Sequence, residues 1–418
     1  MKPVREVLPN GLAVLVAEHH DVETVAVSLQ SHAGARFDPP GRDGLAHMTG
    51  ALLRDGTAHH TKEQIAEAFD SVGADVASGS GRYTGAVSAR LLARDLDALL
   101  PFVAEIAREP SFPGHAVEIR RGEMLTAIDE NEQDPRRVAG DLFRKLVFPP
   151  GHPLAGRGYG TRESVSEITR DEIAGFHAAR FAPGRSSLVL VGDADAGRML
   201  AMARDLFGSW TSAAPAPEPM PPTPPLDASR AEAREVPGTY QVELILGFPG
   251  IARSDPDYYA LELVNEVLGE FGMGGRLGAR VREEHGLAYS IGSTFDASLG
   301  AGAFMVHAGV DPSHVAQAVE DILAELARMR DEGPGRDEVE RSRRALVRGF
   351  PLRLETQAGI AGYLQHIELH GLGLDYASRY AALLESVSDG DLRRVAAARL
   401  TPGRHVLALA GPGPLSVP

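Results

Sequence analysis

Along this chain, short stretches in which apolar residues alternate with polar ones or run unbroken are interleaved with longer stretches in which they recur every three or four positions. "GLAVLVAE" (11–18) and "VETVAVSLQS" (22–31) follow the strand pattern. "GLAHMTGALLRDGT" (44–57) instead gathers Leu45, Met48, Leu52 and Leu53 on one face. With Asp43 and Gly44 as start signals and Gly56 as a stop, that spacing predicts a helix. A second helix is predicted from Thr61, whose spacing to Gln64 makes a capping box. A long strand region "ADVASGSGRYTGAVSARLL" follows, then the helix "DLDALLPFVAEIARE" and two more helices parted by the Asp134-Pro135 break. Another helix starts at Thr169, capped with Glu172, and "SSLVLVGD" closes this part as a buried strand.

The pattern then stops. Seven prolines fall in the eleven residues from Pro215 to Pro225, a composition that favours extended polyproline conformation and is not expected to join a packed core. Beyond it the same logic resumes: strand "YQVELILGFPG", helix "DPDYYALELVNEVLG", a glycine-rich turn, a helix, strands from "AYSIGSTFDA" to "GAFMVHAGV", then helices "PSHVAQAVEDILAELARMRDEG" and "RDEVERSRRALVRGFPL". Hairpin-like strands mixed with helices indicate α+β domains, each a mainly antiparallel sheet with helices packed on one face. The expected division is an N-terminal domain over 1–210, a proline-rich linker over 211–229 and a C-terminal domain over 230–418, with an internal duplication behind the shared order.

At 418 residues the chain exceeds the usual size of one hydrophobic core, which agrees with two domains. A formal net charge of -15 disfavours phosphate-backbone binding, so no nucleic-acid partner is expected. There is no cysteine, which excludes disulfides, thiolate catalysis and Cys-ligated metals, and leaves His and carboxylates for any metal. The first twenty residues lack the apolar core of a signal peptide, and no run approaches the ~20 apolar residues that span a bilayer. A cytoplasmic location without membrane partners is therefore the expectation.

Chemistry enters with His47, which stands alone on its predicted helix. Residues 44–57 resemble, without a gap, the pattern G-L-A-H-x-x-E-H-M-x-x-x-G-T of the pitrilysin/insulinase family, inverted zincins similar to mitochondrial processing peptidase. In that family two histidines four apart bind zinc and the glutamate between them activates water. His47 matches the first histidine, but Gly50 replaces the glutamate and Ala51 the second histidine. The family's third ligand, a glutamate on a later helix, aligns with Ala127 in "RRGEMLTAIDENEQDP", with Asp129, Glu130 and Glu132 close behind. The resemblance thus implies degenerate metal-site positions at His47, Gly50, Ala51 and Ala127 and no zinc in this chain. If the helix keeps the family's geometry, Gly50→Glu with Ala51→His and Ala127→Glu is expected to rebuild much of a zinc site.

A second stretch, "GGRLGARVREEHGLAYSIGSTF" (274–295), resembles the family signature S-R-L-x-x-x-L-R-E-x-x-G-L-A-Y. Arg282 and Tyr289 occupy its arginine and tyrosine, which in the family face the zinc across the substrate chamber. Both can donate to a peptide carbonyl and to the oxyanion formed on attack. "GHPLAGRGYGTRESVSEITRDEIAGFHAARFAPGRSSLVLVGD" also resembles the end of the family's first domain, so the likeness covers nearly the whole chain outside the prolines.

Other candidates carry less. "HIELH" puts His366 and His370 four apart, but Glu368 fits neither HExxH nor HxxEH and reads as a helix face. His59 and His60 read as loop residues before Thr61. The glycines of "GEFGMGGRLG" lack the G-K-[ST] of a phosphate loop, and "GSGRYTGAVSARLL" reads as sheet, with edge-strand addition of a peptide as the alternative. The reading taken forward, by resemblance, is a two-domain clamshell that serves as the zinc-free, substrate-binding subunit of a heterodimeric peptidase. A homologous partner would supply HxxEH and zinc, the substrates being peptides or leader segments. The alternative is a non-catalytic scaffold or peptide-binding protein of the same fold.

Overall fold

The computed structural model describes residues 2–212, 218–270 and 273–418. Its strands, in chain order, are β1 (Val4–Val7), β2 (Ala13–Glu18), β3 (Thr24–Ser31), β4 (Asp75–Ser80), β5 (Gly85–Leu92), β6 (Ser186–Gly192), β7 (Arg230–Glu235), β8 (Val242–Pro249), β9 (Ala288–Ala297), β10 (Ala301–Val310) and β11 (Val406–Gly411). The helices up to the proline segment are α1 (Leu45–Leu52), α2 (Lys62–Asp70), α3 (Leu96–Arg108), α4 (Gly114–Glu132), α5 (Pro135–Val147), α6 (Arg162–Glu167), α7 (Arg170–Arg180) and α8 (Ala196–Phe207). Beyond it come α9 (Tyr258–Asn265), α10 (Gly275–Leu277), α11 (Val315–Glu332), α12 (Arg336–Gly349), α13 (Gln357–Leu369), α14 (Tyr376–Glu385) and α15 (Asp389–Arg399).

The chain forms two compact units. One comprises Met1–Ile128, Arg157–Glu218 and Pro351–Tyr376; the other comprises Asp129–Gly156, Pro219–Phe350 and Ala377–Pro418.

In the first unit six strands lie in the order β1-β2-β6-β3-β5-β4, antiparallel except for the β2/β6 pair. Val25, Val27 and Leu29 of β3 face a core filled by Met48 and Leu52 of α1, Leu100 and Val103 of α3, Ile173 of α7 and Phe207 of α8. Met48 and Leu52 are fully buried, each side chain contributing roughly 1.5–3 kcal/mol. On the opposite face lies α13, which comes from beyond the proline segment. Its Gln365 donates to the Ser28 carbonyl at 2.7 Å and accepts from the Ser187 hydroxyl, so a buried amide is satisfied by the strands beneath it.

In the second unit five strands lie in the order β7-β11-β8-β10-β9, with β7/β11 the parallel pair. Substituting β2 to β6 for β7 to β11 reproduces the first sheet less β1, and this shared topology is the mark of an internal duplication. Here too one helix from across the proline segment, α5, packs on the sheet, against β8 and β11. The expected layer of helices is thus joined, in each unit, by a single helix that sequence order alone would have placed elsewhere.

The predicted caps hold. Thr61 with Gln64 and Thr169 with Glu172 form capping boxes, and Pro135 opens α5 under an Asp134 cap. β6 is buried along its whole length, as its unbroken apolar run requires. β1 and β7 escaped the pattern because "VREV" and "RAEARE" are charged edge strands. The proline segment departs from expectation. Residues 213–217 lie outside the described residues, but Leu226 is buried, Thr223 donates to the Ala301 carbonyl at 3.2 Å, and His152 Nε2 lies 3.3 Å from the Pro221 carbonyl. An extended proline run keeps its carbonyls and its apolar neighbours, and those suffice to dock it on the second unit.

Candidate functional site

Helix α1 begins as predicted but under a different cap. Gly44 takes a left-handed conformation, and Asp38, six residues upstream, accepts from Gly44 N at 2.9 Å and from Ala46 N at 2.8 Å. Burial pushes the Asp38 carboxyl up to about 7, against the pull of those two N–H groups.

His47 projects from this helix half-buried, its ring hydrogen-bonded to the backbone of Ser80 on β4. Burial holds it below the ordinary imidazole range, the Ser80 bond opposes that shift, and the charge of Arg120 on α4 adds to it. Arg120 is held by Asp55, which is 4% exposed and also 3.0 Å from Lys62 Nζ. A cation thus stands beside the lone imidazole.

Position 50, which aligns with the family's water-activating glutamate, is closed to a longer side chain. A Cβ on Gly50 would lie 2.3 Å from Ser80 Oγ and 2.5 Å from the backbone of Gly79 and Ser80. Helix α1 rests directly on β4 at this point, and a glutamate has no room unless the strand moves. Ala51 and Ala127 carry no donor atoms, and Ala127 is exposed. Asp129 and Glu132 belong to the second unit. Among the described residues no group of three or more His, Asp or Glu is placed to hold a metal ion. In the expected rebuilding of a zinc site by Gly50→Glu, Ala51→His and Ala127→Glu, the new base at position 50 meets the backbone of β4.

His60 and the two histidines of α13 have structural partners. His60 Nδ1 lies 2.8 Å from Glu105, whose other oxygen accepts from Thr57 Oγ1 and from the His59 N–H, which pins the start of α2 to α3. In α13, Glu368 is bound by both nitrogens of the Arg5 fork at 2.8 Å, while His366 and His370 lie edge to face at 4.7 Å.

The second signature is built in the second unit. After α9 the chain makes a π-helical turn (Glu266–Glu270), then runs through Gly274 and Gly275, both with positive φ, into α10. A Cβ on Gly274 would lie 2.6 Å from the Ile291 carbonyl of β9 and one on Gly275 2.4 Å from the Val267 carbonyl, so only glycine lets this turn pack so closely. From Gly278 to Glu284 the helix continues with π-helical turns, a feature frequent at functional sites. Gly286 then ends it in a left-handed conformation, with φ of 65°, and β9 begins.

Arg282 lies in the π-helical segment, partly buried, its Nε donating to the neighbouring Glu283 at 2.9 Å. Tyr289 lies on β9, the edge strand, and is 90% exposed. Gly309 pairs with Ser290 and Val310 with Ala288, so Tyr289 is the extra residue of a β-bulge. Bulges turn a side chain away from the regular pleat. Beneath the bulge, Ser293 donates to Asn265 Oδ1 at 2.8 Å, and Asn265 donates to Glu270 at 2.7 Å, tying β9 to α9 through buried groups.

Sequence reasoning missed three groups. Asp38 was hidden by its six-residue separation from the helix it caps. Arg276, matched in the signature, is a buried anchor: it donates to both oxygens of Glu338, at 2.8 and 2.5 Å, and lies 3.6 Å from Glu325. Asp321, 3% exposed on α11, meets His285 and Arg280. The partners of Arg276 and Asp321 lie 36 or more residues away in the chain, so no local pattern marks those contacts.

Comparison with known proteins agrees with this architecture. The profile of the insulinase family (peptidase family M16) matches residues 13–148, and that of the peptidase M16 inactive domain matches residues 167–346. An uncharacterized zinc protease of Streptomyces coelicolor is 30% identical over 397 residues, 94% of this chain and 86% of that protein. One from Mycobacterium leprae is 29% identical over 370 residues, 88% of this chain and 82% of that protein. A crystal structure described as the peptidase M16 inactive domain from Pseudomonas fluorescens matches over the full length of both chains, with a TM-score of 0.92 and 26% identity. A protease from Helicobacter pylori, at 19% identity and a TM-score of 0.90 over 98% of this chain, shares the fold. The duplicated sheets, the two profiles that fall on them and the relative aligned over nearly the whole chain together place this protein in the insulinase family of peptidases, family M16.

Proposed function

We propose that this chain is the zinc-free, substrate-binding subunit of a two-chain peptidase, with a homologous partner supplying the zinc helix. The observation that carries the reading is an asymmetry between the two signatures. At the first, His47 alone of the aligned ligand positions carries a metal-binding atom, Arg120 stands by it and Gly50 is closed against β4, so the residues fit neither zinc nor its base. At the second, the arginine and tyrosine are kept, and Tyr289 is presented on a bulged, exposed edge. A chain retained only as a scaffold has no use for that pair.

In this reading Arg282 and Tyr289 donate hydrogen bonds to the carbonyl of a bound peptide and to the oxyanion that develops on it. The substrates are peptides or leader segments. The test is co-expression with a homologue carrying an intact HxxEH helix, purification through a tag on this chain, and peptide cleavage by the complex. Arg282→Ala is expected to lower turnover by about 10²–10³-fold, the usual effect of removing one oxyanion donor. Tyr289→Phe acts in the same direction, and the double variant loses less than the sum because both groups serve one oxygen. Normal assembly by gel filtration with cleavage at the wild-type rate would make the pair structural and favour the scaffold.

A further inference from the structure

We infer that Asp321 is a positioning residue that locks the π-helical register of residues 278–284 and so sets the aim of Arg282 and Tyr289. What those two residues then act on rests on the preceding reading; the lock itself does not.

Neither of the two side chains is fixed by its own contacts. Tyr289 is 90% exposed, and among the described residues no hydrogen bond or ion pair reaches it; Arg282 is paired with its immediate neighbour Glu283. Their relative placement is therefore a property of the backbone between them. That backbone is a helix end closed by two bonds, Gly286 N to Arg282 O at 3.1 Å and Leu287 N to Val281 O at 2.9 Å. A π-helical turn is the less stable choice for such a segment and needs an external reason to persist.

Asp321 supplies it. Its Oδ2 lies 2.5 Å from His285 Nδ1 and its Oδ1 lies 3.6 Å from Arg280 Nε, so one carboxylate holds two residues five apart. In a regular α-helix, positions five apart are separated by about 140° around the axis and cannot meet one small group on a neighbouring helix. The wider i→i+5 turn carries Arg280 towards the face on which His285, the C-cap that follows the π-helical segment, meets Asp321. The two tethers bracket Arg282, so slipping to the α register would break one of them and rotate Arg282 with the turn. The other end is anchored by Arg276, which Glu338 and Glu325 hold from α12 and α11. Asp321 is buried, and a buried carboxylate stripped of its partners is costly, which makes the bracketing pair hard to release.

The experiment is hydrogen–deuterium exchange on the full chain, read peptide by peptide, with Asp321→Ala, Asp321→Asn, His285→Gln and Arg280→Gln. Asp321→Ala is expected to speed exchange across 282–292 by at least about tenfold, while peptides from β8 and β11 stay within about twofold of wild type. Asp321→Asn, which keeps an acceptor for His285, is expected to restore part of the protection. His285→Gln and Arg280→Gln change half-exposed or exposed residues and each removes one tether, so they carry the test if Asp321→Ala does not fold. Unchanged exchange over 282–292, or faster exchange spread evenly over the second unit, would overturn the inference. In a working two-chain enzyme the same Asp321→Asn lowers kcat with little change in KM. If no partner yields a peptidase, the functional reading fails while the exchange result still decides the lock.

Discussion

Gly50 offers the sharpest test of how closely α1 packs on β4. In an open helix position, replacing glycine by alanine gains about 1 kcal/mol from helix propensity. Gly122 on α4 is such a position: exposed, with nothing within 4 Å of a built Cβ. At Gly50 the same gain is opposed by overlap with Ser80 Oγ at 2.3 Å and with the β4 backbone at 2.5 Å. Overpacking of a tight interior typically costs about 1–3 kcal/mol. Gly122→Ala should therefore stabilise by about 1 kcal/mol, and Gly50→Ala should fall below it by about 1–3 kcal/mol. Trp210, the single tryptophan and part of the first unit's buried core, makes its fluorescence a reporter of that unit in urea titrations. Gly50→Glu should destabilise the first unit by more than Gly50→Ala in the same titration. Equal stabilisation by the two alanine substitutions would refute the close packing of β4 on position 50.

Two titrations in the first unit oppose each other. His177, buried and 2.9 Å from the Ala107 carbonyl, is held neutral down to about 4, so the unfolded chain takes the proton first and stability falls as pH drops from 6.5. That slope is worth on the order of 3 kcal/mol. Asp38, raised to about 7, keeps its proton in the folded state after the unfolded chain has lost it, so its contribution falls as pH rises from 3.8 to about 7. Trp210-monitored stability of Asp38→Asn should consequently rise with pH more steeply than wild type between about 4 and 6.5, and that of His177→Gln should decline over the same window; parallel profiles would refute both assignments. Asp38→Ala removes the helix cap, and its cost should be largest near pH 4 and shrink as pH rises to about 7, measured in the same titration. Gln365→Ala, which leaves the Ser187 hydroxyl without its acceptor and the Ser28 carbonyl without this donor, should destabilise the first unit by about 1–3 kcal/mol; a loss below 0.5 would show that water or a shift of α13 compensates.

Much of the candidate site was legible because it is local. The fourteen residues around His47 and the stretch from Gly274 to Phe295 are single helix or helix-turn-strand segments. Their spacing and glycines are set within one or two turns, and the structure places Arg282 and Tyr289 on the elements that the pattern indicated. The capping boxes at Thr61 and Thr169 were legible for the same reason: donor and acceptor lie three residues apart. What stayed hidden depends on packing between distant segments. The bulge at Tyr289 needs β10 opposite it, and the π-helical register needs Asp321 on α11.

The sequence by itself determined the apolar periods, the caps, the glycine turns and which residues stand at 47, 50 and 51, because each is a matter of residue identity at short range. Only the tertiary structure decided that α5 lies on the second sheet and α13 on the first, since both helices are amphipathic surfaces that either sheet could bury. It likewise decided that Gly50 is not simply a missing glutamate but the point where α1 touches β4. A sequence names the side chain that is absent; the space that has closed over it is a property of the neighbouring strand.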